Sequence, residues 1–351
     1  MLNLKQPLLG VTASAVIIVI ALAFIYAFDF PTLTGWVAYG LLCLIPMQIV
    51  VGVLWKGELP KFAAARPQPM RGLLQVIVTL IAGAFVGPLY FVVMGGAISP
   101  PAPMLAHVTI VSVVVMFWVA IVWDGWPFKV FFKDDPLATG IAALIGAYIL
   151  NAFLFLVLFD YQFMQDAPVY VSSLDPKGLF NAWSALVFYV TALSAMFLMI
   201  HFDLWPLTLS PAVMKQPVLG AIWTFAILGL AAVAFFLGTR VFALDAVAFL
   251  LRVPIPFIFG TIIVLNLLQN SLFGKLSQPV KGIANSIAAA VIGIGLAQFY
   301  KALSGTLAGT LASGPPAYEA EIWLASALLS VTFPFLIYGA EFFKFWPLKK
   351  D

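Results

Sequence analysis

Apolar runs separated by short polar punctuation make up almost the whole of this chain. A membrane-spanning helix needs about 20 mainly apolar residues. Ten runs meet that length, at approximately 8–28, 35–55, 72–95, 104–123, 138–161, 181–202, 218–239, 248–270, 282–302 and 322–343. The punctuation is repetitive. Lys5-Gln6-Pro7-Leu8-Leu9-Gly10 returns as Pro67-Gln68-Pro69-Met70-Arg71-Gly72, as Lys215-Gln216-Pro217-Val218-Leu219-Gly220 and as Ser277-Gln278-Pro279-Val280-Lys281-Gly282. A looser copy reads Asp134-Asp135-Pro136-Leu137-Ala138-Thr139-Gly140. Each copy opens one span and is followed by a second. The pattern predicts an all-α polytopic membrane protein of ten helices, arranged as five tandem hairpins in a single transmembrane domain covering 1–351. The hairpins fall at about 5–60, 67–127, 134–206, 215–275 and 277–347.

The phrase has a physical meaning. Proline suits the first turn of a helix, where its missing N–H would have no intrahelical partner. A Gln or Asp just before it can accept from the free amides, Asp135 being the stronger cap. Pro7, Pro69, Pro136, Pro217 and Pro279, with Gly10, Gly72, Gly140, Gly220 and Gly282, therefore mark where the odd-numbered helices start. The even-numbered spans close on Trp126-Pro127, Trp205-Pro206 and Trp346-Pro347, and more loosely on Trp55 and Pro60. Tryptophan favours the headgroup level and proline is expected to stop the helix. The fourth repeat instead reads Leu272-Phe273-Gly274-Lys275. The phrase prolines are 62, 67, 81 and 62 residues apart, and the longest interval holds a polar loop from Gln162 to Phe180.

Composition agrees with a lipid solvent. Hydrophobic residues are 64% of the chain and charged residues only 9%, against roughly a quarter charged in a soluble domain. The one cysteine, Cys43, lies within an apolar run, which leaves no intrachain disulfide and no cysteine metal site. Lys5 followed by an apolar run has the outline of a signal peptide. Its length and its opening Gln-Pro-Leu-Leu-Gly phrase lead to the expectation that it is span 1 of the first repeat, retained in the mature protein.

A two-span repeat returns every phrase to one face. That face carries 13 of the 17 Lys and Arg and seven of the 14 acidic residues, leaving it +6 and the opposite face −3. The positive-inside rule puts it, and both termini, in the cytoplasm. The expected location is the cytoplasmic (inner) membrane.

Eleven residues past each phrase glycine, near mid-membrane at 1.5 Å per residue, stand Ala21, Gly83, Asn151, Ala231 and Gly293. Four are small, as where helices pack closely in lipid. The expectation drawn is an inner layer of odd helices and an outer layer of even ones, closing into a quasi-fivefold ring; the alternative is an irregular ten-helix bundle. Five hairpins resemble, in architecture alone, the bacterial relatives of plant slow anion channels. No residue-level motif is shared, so the resemblance assigns no site.

Few residues offer chemistry. Asn151 is the polar group closest to mid-membrane, suited either to a permeating solute or to an interhelical hydrogen bond. Span 8 carries Arg252, Pro254, Pro256, Asn266, Gln269 and Asn270. Its prolines break regular backbone bonding, and broken helices mark substrate sites in many transporters; the alternative is a kinked helix with a snorkelling Arg252. Asn151, Arg252, Asn266 and Gln269 are the candidate permeation residues. His201 and Asp203 are a candidate proton relay, or else a solvated interfacial pair. His107 lies at the opposite face from His201, so no metal is expected between them. Asp29, Asp160, Arg240 and Lys301 end odd helices with mixed signs, which reads as ordinary interfacial charge.

Phosphate loops, nucleophile elbows, haem or di-iron clusters and paired intramembrane carboxylates are missing from the sequence. The expectation is a protein that is not an enzyme and needs no cofactor. It would be a channel or secondary transporter for a small solute, favouring a small anion because the odd helices' N-termini face the cytoplasm. The alternative is a non-transporting accessory or scaffold subunit of a membrane complex. Expected partners are the lipid bilayer, a small-molecule solute, and membrane partner subunits or a second copy of the chain; nucleic acid is not among them.

Overall fold

The computed structural model describes residues 3–133, 135–167, 170–315 and 317–349; the phrase residue Asp134 and the cation Lys350 lie outside the described residues. Ten helices are long and apolar enough to cross a membrane. They are span 1 (Leu8–Tyr26), span 2 (Phe30–Leu54), span 3 (Met70–Val93), span 4 (Pro103–Val122), span 5 (Pro136–Leu158), span 6 (Ala182–His201), span 7 (Val218–Val241), span 8 (Ala246–Leu267), span 9 (Val280–Ala308) and span 10 (Glu319–Phe342). The protein is an all-α, multi-pass membrane protein. A two-residue parallel bridge pairs Phe159 with Phe180 and Asp160 with Asn181, and closes the long loop of the third repeat.

The layers are the reverse of the sequence expectation. Between 56% and 78% of each even span is buried inside the protein, against 22% to 33% of each odd span. The even helices pack in the closed order 2–4–6–8–10–2 and form the inner ring. The odd helices stand outside it, with Phe85, Phe225 and Val291 among their exposed apolar side chains. Small residues at mid-membrane misled the expectation because an outer helix also needs one close-packed face. Ala21, Gly83, Asn151, Ala231 and Gly293 are indeed all buried, but against the ring's outer wall. Helices buried on all sides read as apolar all round, and lipid-facing helices read the same way.

The outer helices follow one rule. Span 3 packs on spans 2 and 10, span 5 on 4 and 2, span 7 on 6 and 4, span 9 on 8 and 6, and span 1 on 10 and 8. Packing thus joins spans of neighbouring hairpins more than the two spans of one hairpin. Spans 9 and 10 are an exception, linked within one repeat by Tyr300 Oη and Thr332 Oγ1 at 2.7 Å.

The repeated phrase is the device that fixes this offset. In four repeats the glutamine oxygen accepts from its own glycine N–H: Gln6 from Gly10 (3.1 Å), Gln68 from Gly72 (3.2 Å), Gln216 from Gly220 (3.0 Å) and Gln278 from Gly282 (3.0 Å). The same amide's Nε2 donates to a carbonyl at the end of the even helix three places back around the closed ring, where span 10 is followed by span 1. The acceptors are Leu267, Phe342, Val122 and His201, at 2.8, 2.7, 3.0 and 3.0 Å. The third repeat reverses the bond: Trp55 Nε1 donates to the Pro136 carbonyl at 2.9 Å. Its Asp135 caps span 5 by accepting from Leu137 and Ala138, both at 3.0 Å. The phrase glycines are the points of approach. A Cβ would press on the Leu267 carbonyl at Gly10, on Phe343 at Gly72, on Trp55 at Gly140, on Trp123 at Gly220 and on Phe202 at Gly282.

The even helices do not stop at Trp-Pro. Spans 2, 4, 8 and 10 loosen into π-helical turns at Val50–Leu54, Trp118–Val122, Ile263–Leu267 and Tyr338–Phe342. All five then reverse through two left-handed residues: Lys56-Gly57, Asp124-Gly125, Asp203-Leu204, Gln269-Asn270 and Lys344-Phe345. The following Trp-Pro lies beyond the stop.

Candidate functional site

Five inner helices leave an axis, and its two cavities are lined by all five of them. At the phrase-bearing half lies a vestibule of about 280 Å³ whose polar lining is Gln48, Thr261, Asn266 and Glu341. Deeper in, an entirely apolar cavity of about 30 Å³ is lined by residues such as Leu42, Ile110, Leu193, Ile258 and Leu329. Phe117 and Phe333 line both cavities and so stand between them. Their rings meet edge to face at 6.1 Å, and Phe117 meets Phe197 in the same way at 5.6 Å. A cavity with no polar lining stays dry. The axis thus holds a partly polar vestibule and an apolar cavity, with phenylalanine rings between them.

The vestibule is rich in acceptors. Gln48 is 1% exposed; its Nε2 donates to the Pro334 carbonyl at 2.9 Å, which fixes the amide orientation. Its Oε1 is buried without a partner among the described residues. Asn266 Nδ2 donates to Glu341 Oε1 at 3.2 Å, and Lys344 Nζ reaches Glu341 Oε2 at 3.2 Å from outside the lining. Thr261 Oγ1 bonds His201 Nε2 at 2.9 Å. The C-terminal carbonyls of the inner helices point to this end and carry partial negative charge.

The sequence candidates scatter. Asn266 lines the vestibule. Asn151 lies on an outer helix, donating to Tyr90 Oη at 2.9 Å and to the Val108 carbonyl at 3.0 Å, so it ties spans 3, 4 and 5 together. Arg252 is exposed and lines a lateral groove of about 480 Å³ between spans 7 and 9. Gln269 occupies a left-handed turn position beyond the end of span 8. His201 is buried against Thr261, whereas Asp203 is exposed and accepts from Gln278 Nε2 at 2.8 Å and Lys281 Nζ at 2.9 Å. No hydrogen bond links His201 to Asp203 among the described residues. Asp29 accepts from Thr32 N and Asp160 from Gln162 N, ordinary capping of local backbone. Among the described residues no group of three or more His, Cys, Asp or Glu is placed to hold a metal.

Gln48, Thr261, Glu341 and the phenylalanine plug were missed from sequence. A glutamine in the middle of an apolar run is the one signal of Gln48 that the sequence offers.

A second feature is lateral. An apolar groove of about 820 Å³ opens between outer spans 5 and 7, floored by spans 4 and 6 and lined by Trp118, Trp123, Trp126, Phe128 and Phe188.

No protein-family model, curated protein or solved structure matches the chain. The likeness to slow anion channels therefore rests on the number of hairpins alone.

Proposed function

We propose that this membrane protein is a gated channel or secondary carrier that passes a small solute along the axis of its inner ring. The supporting observation is the pair of coaxial cavities separated by Phe117 and Phe333, with polar groups gathered at one mouth. An aromatic plug is a hydrophobic gate, closed by side chains that a rotamer change moves aside. Catalysis has no part in this reading. In this reading the vestibule and both termini face the cytoplasm, which the charge asymmetry of the loops supports. The preference for an anion loses its basis, because it required the odd helices to line the path. With even helices inside, C-termini rather than N-termini face the vestibule.

Purified protein in liposomes tests the reading. Phe117→Ala and Phe333→Ala should raise solute flux at least about tenfold, since each removes a barrier rather than a binding group. Flux that is zero in the wild type and in both variants removes it.

The second reading, an accessory subunit that transports nothing, is favoured by the dry plug and the lateral aromatic groove. Stoichiometric co-purification with another membrane polypeptide, together with absent flux, supports it.

A further inference from the structure

We infer that the vestibule is a binding site for a small organic ammonium ion with an apolar body. The inference rests on the reading of the axis as a solute pathway and names the solute class. Four features converge on it. Every side chain lining the vestibule is neutral except Glu341, so its lining carries one negative charge and no positive one. Gln48 lines the same space with its Oε1 buried and unpartnered, an acceptor that a small turn of the side chain would offer to a solute N–H. The inner-helix C-termini add partial negative charge around the same space. Finally, Phe117, Phe197 and Phe333 all line the space, and aromatic rings attract cations and bury hydrocarbon. An anion would be repelled by Glu341, the one charged side chain of the lining, and a neutral alcohol could donate to it without balancing its charge.

The ammonium would sit between Glu341 and Gln48 with its apolar body on the phenylalanine plug. Lys344 now neutralises part of Glu341 from outside the lining, and so competes with the ligand.

Calorimetric titration of the detergent-solubilised protein with phenethylammonium tests this, using 2-phenylethanol and phenylpropionate as neutral and anionic analogues. Saturable binding of the ammonium, at least about tenfold tighter than either analogue, is expected. Glu341→Gln should weaken it about tenfold or more. Lys344→Gln should tighten it about threefold, a gain that a misfolded variant cannot mimic. Equal affinity for all three probes, or an affinity unmoved by both substitutions, overturns the assignment. Ammonium binding without flux in liposomes supports this site while removing the permeation reading. Flux of another solute with no ammonium binding overturns this site and leaves that reading standing.

Discussion

A glycine that admits another helix and one that faces lipid look alike in a sequence, and this protein has both. Gly10 lies under the backbone carbonyl of Leu267, which cannot swing away as a flexible side chain could. Gly295 has nothing within 4 Å of where its Cβ would be. Gly10→Ala should therefore destabilise by about 1–3 kcal/mol, while Gly295→Ala should be neutral or stabilise by up to about 1 kcal/mol. Melting midpoints of the two variants in the same detergent check the contrast. Asn151→Leu belongs to the same scale. It breaks two buried hydrogen bonds that tie three helices, at about 0.6–2 kcal/mol each. The expected outcome is a lower melting midpoint with no selective loss of solute affinity. Its polarity was legible; its partners Tyr90 and Val108, 61 and 43 residues away, were not.

For the helices and their turns, the phrase glutamines act at two distances. Capping of the local glycine N–H follows from the residue order, because both groups belong to one helix turn. Donation to an even helix three places back follows only from the ring. Gln216→Leu should lose both bonds and cost about 1–3 kcal/mol, and Trp55→Phe should cost at least as much, because it removes the reversed bond of the third repeat and also empties buried space that the indole fills against Gly140. Thermal unfolding of the two variants, side by side, tests that order. Beside Gln278, burial works against the Asp203 charge, but donation from Lys281 and Gln278 outweighs it and holds the carboxyl below the usual range. A carboxyl held low contributes stability that is fully present above its unfolded value of about 3.9. That contribution is lost as pH falls through the folded value. With more than half of the side chain in solvent, the effect is small. Lowering the pH from about 5 to about 3 should depress the melting midpoint slightly more in the wild type than in Asp203→Asn. Helix ends taught a further lesson. Trp-Pro looked like a stop, yet the chain reverses earlier through left-handed Asp124-Gly125 and Asp203-Leu204. Only the first of these pairs contains the glycine that such a conformation favours.

As a whole, the molecule is a ring of five helices inside a ring of five, offset so that each repeat clasps its predecessors. Reporter fusions or thiol labelling at Lys61 and Lys133 should place both in the cytoplasm; external exposure of either would reverse the assignment of the vestibule. The number of spans, the repeat and the charge bias were determined by the sequence alone. Each depends on local composition: 20 apolar residues cross a bilayer whatever surrounds them, and a Gln-Pro-x-x-Gly start needs only its own turn. Which helices lie inside was decided by the tertiary structure. In water, burial and hydrophobicity rise together, so a sequence betrays its core. In lipid, the environment outside is as apolar as the interior, so Phe85 facing lipid and Phe333 plugging the axis are written in the same letter. Gln48, Thr261 and Glu341 likewise come from three different spans and become a site only when the ring closes.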